Sequence, residues 1–225
     1  MAVSAEEIRK SVVEHLLWDG RLEGAEIDVN VDASNKVTLT GTAPSYLIKQ
    51  AAGEDALSVS RVSEVYNQIK VKANDKSGPW RSGEALRKTI EDILSMYPNF
   101  AADSLEVWVT DGKVGLSGSV DMYWKKLRAE EIAFDVKGVQ EVANEITVVP
   151  TRQPLDEEIA NSIKDALRRT GGADPSQVSI EVEGGRVTLS GTVDTWTAYT
   201  SAHSAAKYTR GVVDLVNRLM IKNPD

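Results

Sequence analysis

The chain has 225 residues, 41% hydrophobic and 27% charged, with 16 Gly and 7 Pro, a balance that excludes collagen-like and disordered classes. No stretch approaches the ~18 uninterrupted apolar residues of a membrane-crossing helix, and the absence of Cys excludes disulfides, zinc ribbons and thiol nucleophiles. With 26 Lys and Arg against 34 Asp and Glu the net charge is −8, a sign that repels nucleic acid and anionic lipid unless cations cluster locally.

The N-terminal stretch carries Glu6 and Glu7 where an export signal has a basic region, so the sequence as given reads as cytoplasmic, or as periplasmic if it is a mature or truncated form. Ile8, Val12 and Leu16 recur at helical spacing and predict a first helix, with Glu6 and Glu7 matching the positive end of its dipole. Ile27, Val29 and Val31 then alternate as a strand, the turn Asp32–Lys36 follows, and Val37-Thr-Leu-Thr-Gly41 forms a second strand. An Ala-rich helix running to about residue 59 and a short apolar run containing Asn67 complete the unit.

The same order then repeats twice. Val114-Gly-Leu-Ser-Gly118 and Val187-Thr-Leu-Ser-Gly191 lie 77 and a further 73 residues downstream. Those offsets also relate Tyr46 to Tyr123 and Trp196, and Asn67 to Asn144 and Asn217. Upstream, Leu86, Ile90 and Leu94, and Ile159, Ile163 and Leu167, repeat the first helix, but there the first offset is 78, which places one extra residue in the Asp32–Lys36 turn. The copies fall at 4–72, 83–149 and 155–222, with Ala73–Ser82 and Pro150–Pro154 as linkers.

The fold class is therefore α+β: three tandem αββαβ units, each a small three-stranded mixed sheet with two helices on one face. Right-handed crossover sets the last strand parallel to the second. The other sheet face is left open, and Trp108 points out of it as a protein-interface candidate; neighbouring copies are expected to cover it.

A unit of this order with V-x-L-[ST]-G on its second strand, a following aromatic, and V-x-[DE]-V-x-N near its end resembles the BON domain, the bacterial osmotic-stress and nodulation family. Copy two carries Val114–Gly118, Val120 and Gly138-Val-Gln-Glu-Val-Ala-Asn144, and copy three Val187–Val193 and Gly211-Val-Val-Asp-Leu-Val-Asn217. Copy one departs, with Arg61 at the position of Gly138 and Gly211, so its turn is expected to be built differently. The resemblance implies a non-enzymatic module associated with phospholipid interfaces and envelope stress, usually periplasmic. Its structural positions here are Gly41, Gly118, Gly191, Asn67, Asn144 and Asn217.

Tests for chemistry point the same way. His15 and His203 lie in different copies without matching counterparts, so no His-rich metal site arises, and no cofactor is implied. Asp28-Val-Asn30-Val-Asp32 resembles the start of a calcium loop, but Ala33 and Leu39 occupy its Gly and Glu positions. Neither a nucleophile elbow nor a phosphate-binding Gly loop is present.

The membrane-surface candidate is Trp124, Lys125, Lys126 and Arg128, where an aromatic ring adjoins three cations. Against it, copy two holds 7 basic and 12 acidic residues. In the alternative reading Tyr123, like Tyr46 and Trp196, packs in the core while the cations pair with Glu130 and Glu131. The functional expectation is a peripheral phospholipid-binding or envelope-partner protein, with a structural adaptor or self-associating module as the alternative.

Overall fold

The computed structural model describes residues 4–59, 61–62, 64–72, 82–98, 100, 105–136 and 138–222. The expected linker at 73–82 lies outside them except for Ser82.

Copy one runs α1 (Ala5–Trp18), β1 (Glu26–Val31), β2 (Lys36–Ala43), α2 (Tyr46–Ser58), β3 (Glu64–Asn67) and β4 (Lys70–Val71). Copy two repeats this as α3 (Gly83–Met96), β5 (Leu105–Thr110), β6 (Lys113–Val120), α4 (Tyr123–Asp135), β7 (Glu141–Asn144) and β8 (Thr147–Val148). Copy three has α5 (Asp156–Thr170), β9 (Val178–Glu183), β10 (Arg186–Val193), α6 (Trp196–Lys207) and one unbroken last strand, β11 (Asp214–Ile221). In each sheet the second strand is central, antiparallel to the first and parallel to the last.

Helix starts follow from side-chain caps. Ser4, Ser45, Ser82 and Thr195 each accept a hydrogen bond from the backbone three residues on, and Glu7 returns the bond to Ser4. The first helices bury Ile8, Val12 and Leu16, Leu86, Ile90 and Leu94, and Ile159, Ile163 and Leu167 against the central-strand pairs Val37/Leu39, Val114/Leu116 and Val187/Leu189. Period-four helix residues thus meet period-two strand residues on one face.

The hairpins show why copy one is longer. Copies two and three turn through Asp111-Gly112 and Gly184-Gly185, all four residues at positive φ. Copy one uses a wider turn in which the Asp32 carboxylate accepts from the Ser34 and Lys36 amides and Asn35 takes the positive φ.

Two expectations are corrected. Arg61 has φ +75°, close to Gly138 at +106° and Gly211 at +88°, so copy one keeps the same turn rather than building another and places a side chain in glycine territory. Tyr123 is buried in the core shared by copies two and three, as the alternative reading has it, and both Tyr46 and Tyr123 reach the following copy. Second, against the expected cover of the open sheet face by neighbouring copies, Trp108 is 45% exposed, with Glu106 and Thr110 exposed beside it. The buried residues of copy one form their own cluster, whereas those of copies two and three form a single one.

Candidate functional site

The repeated Gly and Asn positions build the scaffold. Gly41 and Gly191 sit in mid-strand at φ +113° and +126°, and a Cβ on them would fall 2.0 and 2.2 Å from the Glu26 and Gln177 carbonyl oxygens. Gly118 shares the backbone geometry at φ +108°. Only glycine fits this approach between the first two strands.

Asn67 and Asn144 tie the last strand to the second helix. Their amides donate to the Lys49 and Lys126 carbonyls at 2.6 and 2.9 Å, and their carbonyls accept from the Ile69 and Ile146 amides. That bond holds the break in the strand that turns Ile69 and Ile146 into the core. In copy three Asn217 accepts from Leu219, its Nδ2 is buried without a hydrogen-bond partner, and the strand runs on unbroken.

The Trp124 cluster lies at the seam between copies two and three. Trp124 meets Tyr208 with ring centroids 6.5 Å apart. Lys125 pairs with Asp121, one turn back, and Arg128 pairs with Glu131 at 3.0 Å while donating to the Tyr97 hydroxyl at 2.9 Å. Glu131 also receives Lys207 of copy three at 3.5 Å. Lys126 uses its carbonyl to hold Asn144. The four residues are thus gathered on one helix, but Lys125 and Arg128 are already matched to carboxylates of the same chain.

Trp108 faces Gly115 across the β5–β6 pair, and its ring covers the glycine so closely that a Cβ there would lie 1.8 Å from it. Gly115 is buried for this reason. His15 and His203 remain apart, on α1 and α6. Burial, with Lys207 beside it, pushes the His203 imidazole below its usual pKa. Among the described residues no group of three His, Asp or Glu is arranged to hold a metal, and no helix is long and apolar enough to cross a membrane.

Sequence reasoning missed a surface on copy one. Leu17 and Trp18, at the end of α1, are 78% and 88% exposed. Leu17 lines a cavity of about 450 Å3 whose apolar walls include Val13, Leu22, Ala25 and Ile27. The signal was present in the repeat: the corresponding residues of copy three are Arg168 and Arg169, so the fold does not require apolar side chains there.

Beside this surface the 3-10 turn Gly20–Leu22 carries a charged trio. Arg21 bonds Asp19 and reaches Asp55 at 3.2 Å. The hydrogen bonds from Arg21 hold Asp19 down to about 2. Burial, reinforced by Asp19, pushes Asp55 up to about 6, and its Oδ2 is buried without a partner.

The model of the BON domain matches residues 4–73, 82–150 and 155–223. A similar protein is an uncharacterized protein in the gshII 5′ region of Anaplasma centrale, 31% identical over 53% of this chain and 83% of its own length. Another is the osmotically-inducible protein Y of Escherichia coli (strain K12), 30% identical over 62% of this chain and 68% of its own. Among solved structures, the C-terminal domain of CdsD, a structural protein of the type III secretion system of Chlamydia trachomatis, aligns over 98% of this chain and 100% of that one at 12% identity and a TM-score of 0.25. The PrgH periplasmic domain aligns over 93% and 99% at 14% identity and a TM-score of 0.23. The threefold match, spanning units whose helices, strands and glycines repeat as described, settles the family: the chain belongs to the BON domain family and carries three tandem copies of the domain.

Proposed function

We propose that this BON-domain protein is a non-catalytic docking protein of the envelope-stress type that contacts phospholipid surfaces through the Leu17–Trp18 tip of copy one. The observation that carries the reading is the adjacency of these two side chains, 78% and 88% exposed, beside an apolar-walled groove. Each large apolar side chain moved out of water contributes roughly 1.5–3 kcal/mol, and Trp suits the headgroup boundary. Glu14, Asp19 and Glu23 flank the tip in the sequence, and Asp19 and Glu23 line the groove. The contact is therefore an apolar insertion that anionic headgroups do not strengthen. The Trp124 cluster is the weaker candidate, since its Lys125 and Arg128 already have carboxylate partners.

Sedimentation with phosphatidylcholine vesicles tests this. The protein should pellet with vesicles at low and high salt alike, and the Leu17→Ser/Trp18→Ser variant should lose most of that fraction. Equal pelleting of the double variant, or none by the unaltered chain, would overturn the assignment. Loss of binding on Lys126→Glu/Arg128→Glu instead would move the contact to the Trp124 cluster.

A further inference from the structure

The two seams inside the chain are the same seam used twice. At the first, Tyr46, which begins α2, stacks on Phe134 near the end of α4 with centroids 3.3 Å apart and planes 8° off parallel. Glu130, Glu141 and Val142 of copy two line the same place. At the second, Tyr123, the repeat counterpart of Tyr46, is buried beside Asp214 and the backbone of Leu215 at the start of β11. Its neighbour Trp124 meets Tyr208 beside the end of α6, and Lys207 reaches Glu131.

Shifting copy two by the repeat offset of 73 places Phe134 on Lys207, Glu141 on Asp214 and Val142 on Leu215. In both seams the aromatic start of one copy's second helix therefore lies on the following copy's second-helix end and last strand. Such an interface joins two different surfaces, and this kind of contact extends along a line or ring instead of closing on itself as a symmetric pair does.

Each end of the chain keeps one half of that interface. Copy three presents Trp196, the counterpart of Tyr46 and Tyr123, half-buried and stacked on Tyr199 with centroids 5.0 Å apart. Copy one presents Leu57 and Val65, the counterparts of Phe134 and Val142, both half-buried. An ion pair frames the receiving surface identically in all three copies: Lys36 with Glu64 at 2.7 Å, Lys113 with Glu141 at 2.8 Å, and Arg186 with Asp214 at 3.2 Å. Terminal units of a repeat array that stops at its ends carry polar outer faces. These ends carry Trp196 at one and Leu57 with Val65 at the other.

We infer that a second copy of this chain docks head to tail, the Trp196 surface of one chain on the Leu57–Val65 surface of the next. This is independent of the phospholipid reading, which uses the end of α1, whereas Leu57 and Val65 lie on α2 and β3. Within the chain the seams benefit from the millimolar effective concentration that short linkers give. Between chains the contact lacks that help and requires high protein concentration.

Sedimentation equilibrium of the full chain from about 10 μM to 1 mM is the test. The average mass should climb above one chain without levelling at two. Trp196→Glu and Val65→Lys should each remain monomeric across the range, with circular dichroism matching the unaltered protein. An equimolar mixture of the two should recover a dimer, because each retains the half that the other lost. Leu57→Glu provides a second receiving-face variant if Val65→Lys unfolds. A strictly monomeric wild type, variants that associate normally, or a mixture that stays monomeric would each overturn the inference.

Discussion

The Trp108 indole covers Gly115 on the neighbouring strand, and a Cβ added to that glycine would lie 1.8 Å from the ring. The pair is particular to copy two: the counterparts of Trp108 are Asn30 and Glu181, and those of Gly115 are Thr38 and Thr188. A large aromatic supplies the packing that a strand glycine lacks. Trp108→Asn should therefore cost about 1–2 kcal/mol, and Gly115→Thr should also destabilise by displacing the ring. Trp108→Asn combined with Gly115→Thr recreates the copy-one pair and should recover much of the loss. Urea denaturation of the four proteins as a double-mutant cycle gives the coupling. If Trp108→Asn leaves stability intact but abolishes a protein association, the residue is an interface anchor instead.

Asp55 makes stability depend on mild acid. Its folded pKa, pushed up to about 6 from 3.8, means that the folded chain holds this proton more tightly than the unfolded one. Its contribution is fully present below about 3.8 and is lost as pH rises through 6. Asp19, held at about 2, acts oppositely: its contribution is present above 3.8 and disappears as pH falls toward 2. Copy one should accordingly be most stable near pH 4 as far as this pair decides. Asp55→Asn should flatten the decline between pH 4 and 6 and raise the melting temperature at pH 7.5. Calorimetry across pH reads this directly, and an unchanged profile would count against the burial account.

Arg61 holds a left-handed backbone that the other two copies assign to glycine. Arg61→Gly removes the clash of a Cβ with the adjacent carbonyl but frees the unfolded chain, a net gain of up to about 1 kcal/mol. Gly138→Arg, the reverse change in copy two, should cost at least as much. Chemical denaturation of the two variants checks the pair.

Asn144 should matter more than Asn217. Asn144→Ala removes donors to the Lys126 carbonyl and Glu130 and the acceptor for Ile146, so about 2 kcal/mol is expected. Asn217→Ala removes one bond and an unpartnered buried amide, and should cost under about 1 kcal/mol. Comparable losses would contradict the strand-break role.

Most of the architecture was legible because its signals are periodic and occur three times. Ile8, Val12 and Leu16 with their counterparts fix the buried helix face, and the Gly41 series marks one strand position. The strand break at Asn67 and Asn144 was not legible, because it depends on a side chain reaching a helix carbonyl 18 residues upstream. The same limit applied to Tyr46 and Tyr123. Their recurrence marked them as important, but a helix position predicts burial without saying whether the neighbour belongs to the same copy. Leu17 and Trp18 were readable in principle, since aligning the copies against one another exposes them as apolar intrusions on a helix end that bears arginines in copy three.

The unequal sharing of buried residues also governs how this protein comes apart. Copy one keeps its own interior, joined to the next unit by the Tyr46–Phe134 stack, whereas the interiors of copies two and three are continuous. Melting should proceed in two stages, copy one opening while residues 82–222 persist as a cooperative block. Calorimetry would resolve the two stages, with Trp124, at the seam between copies two and three, reporting the late one.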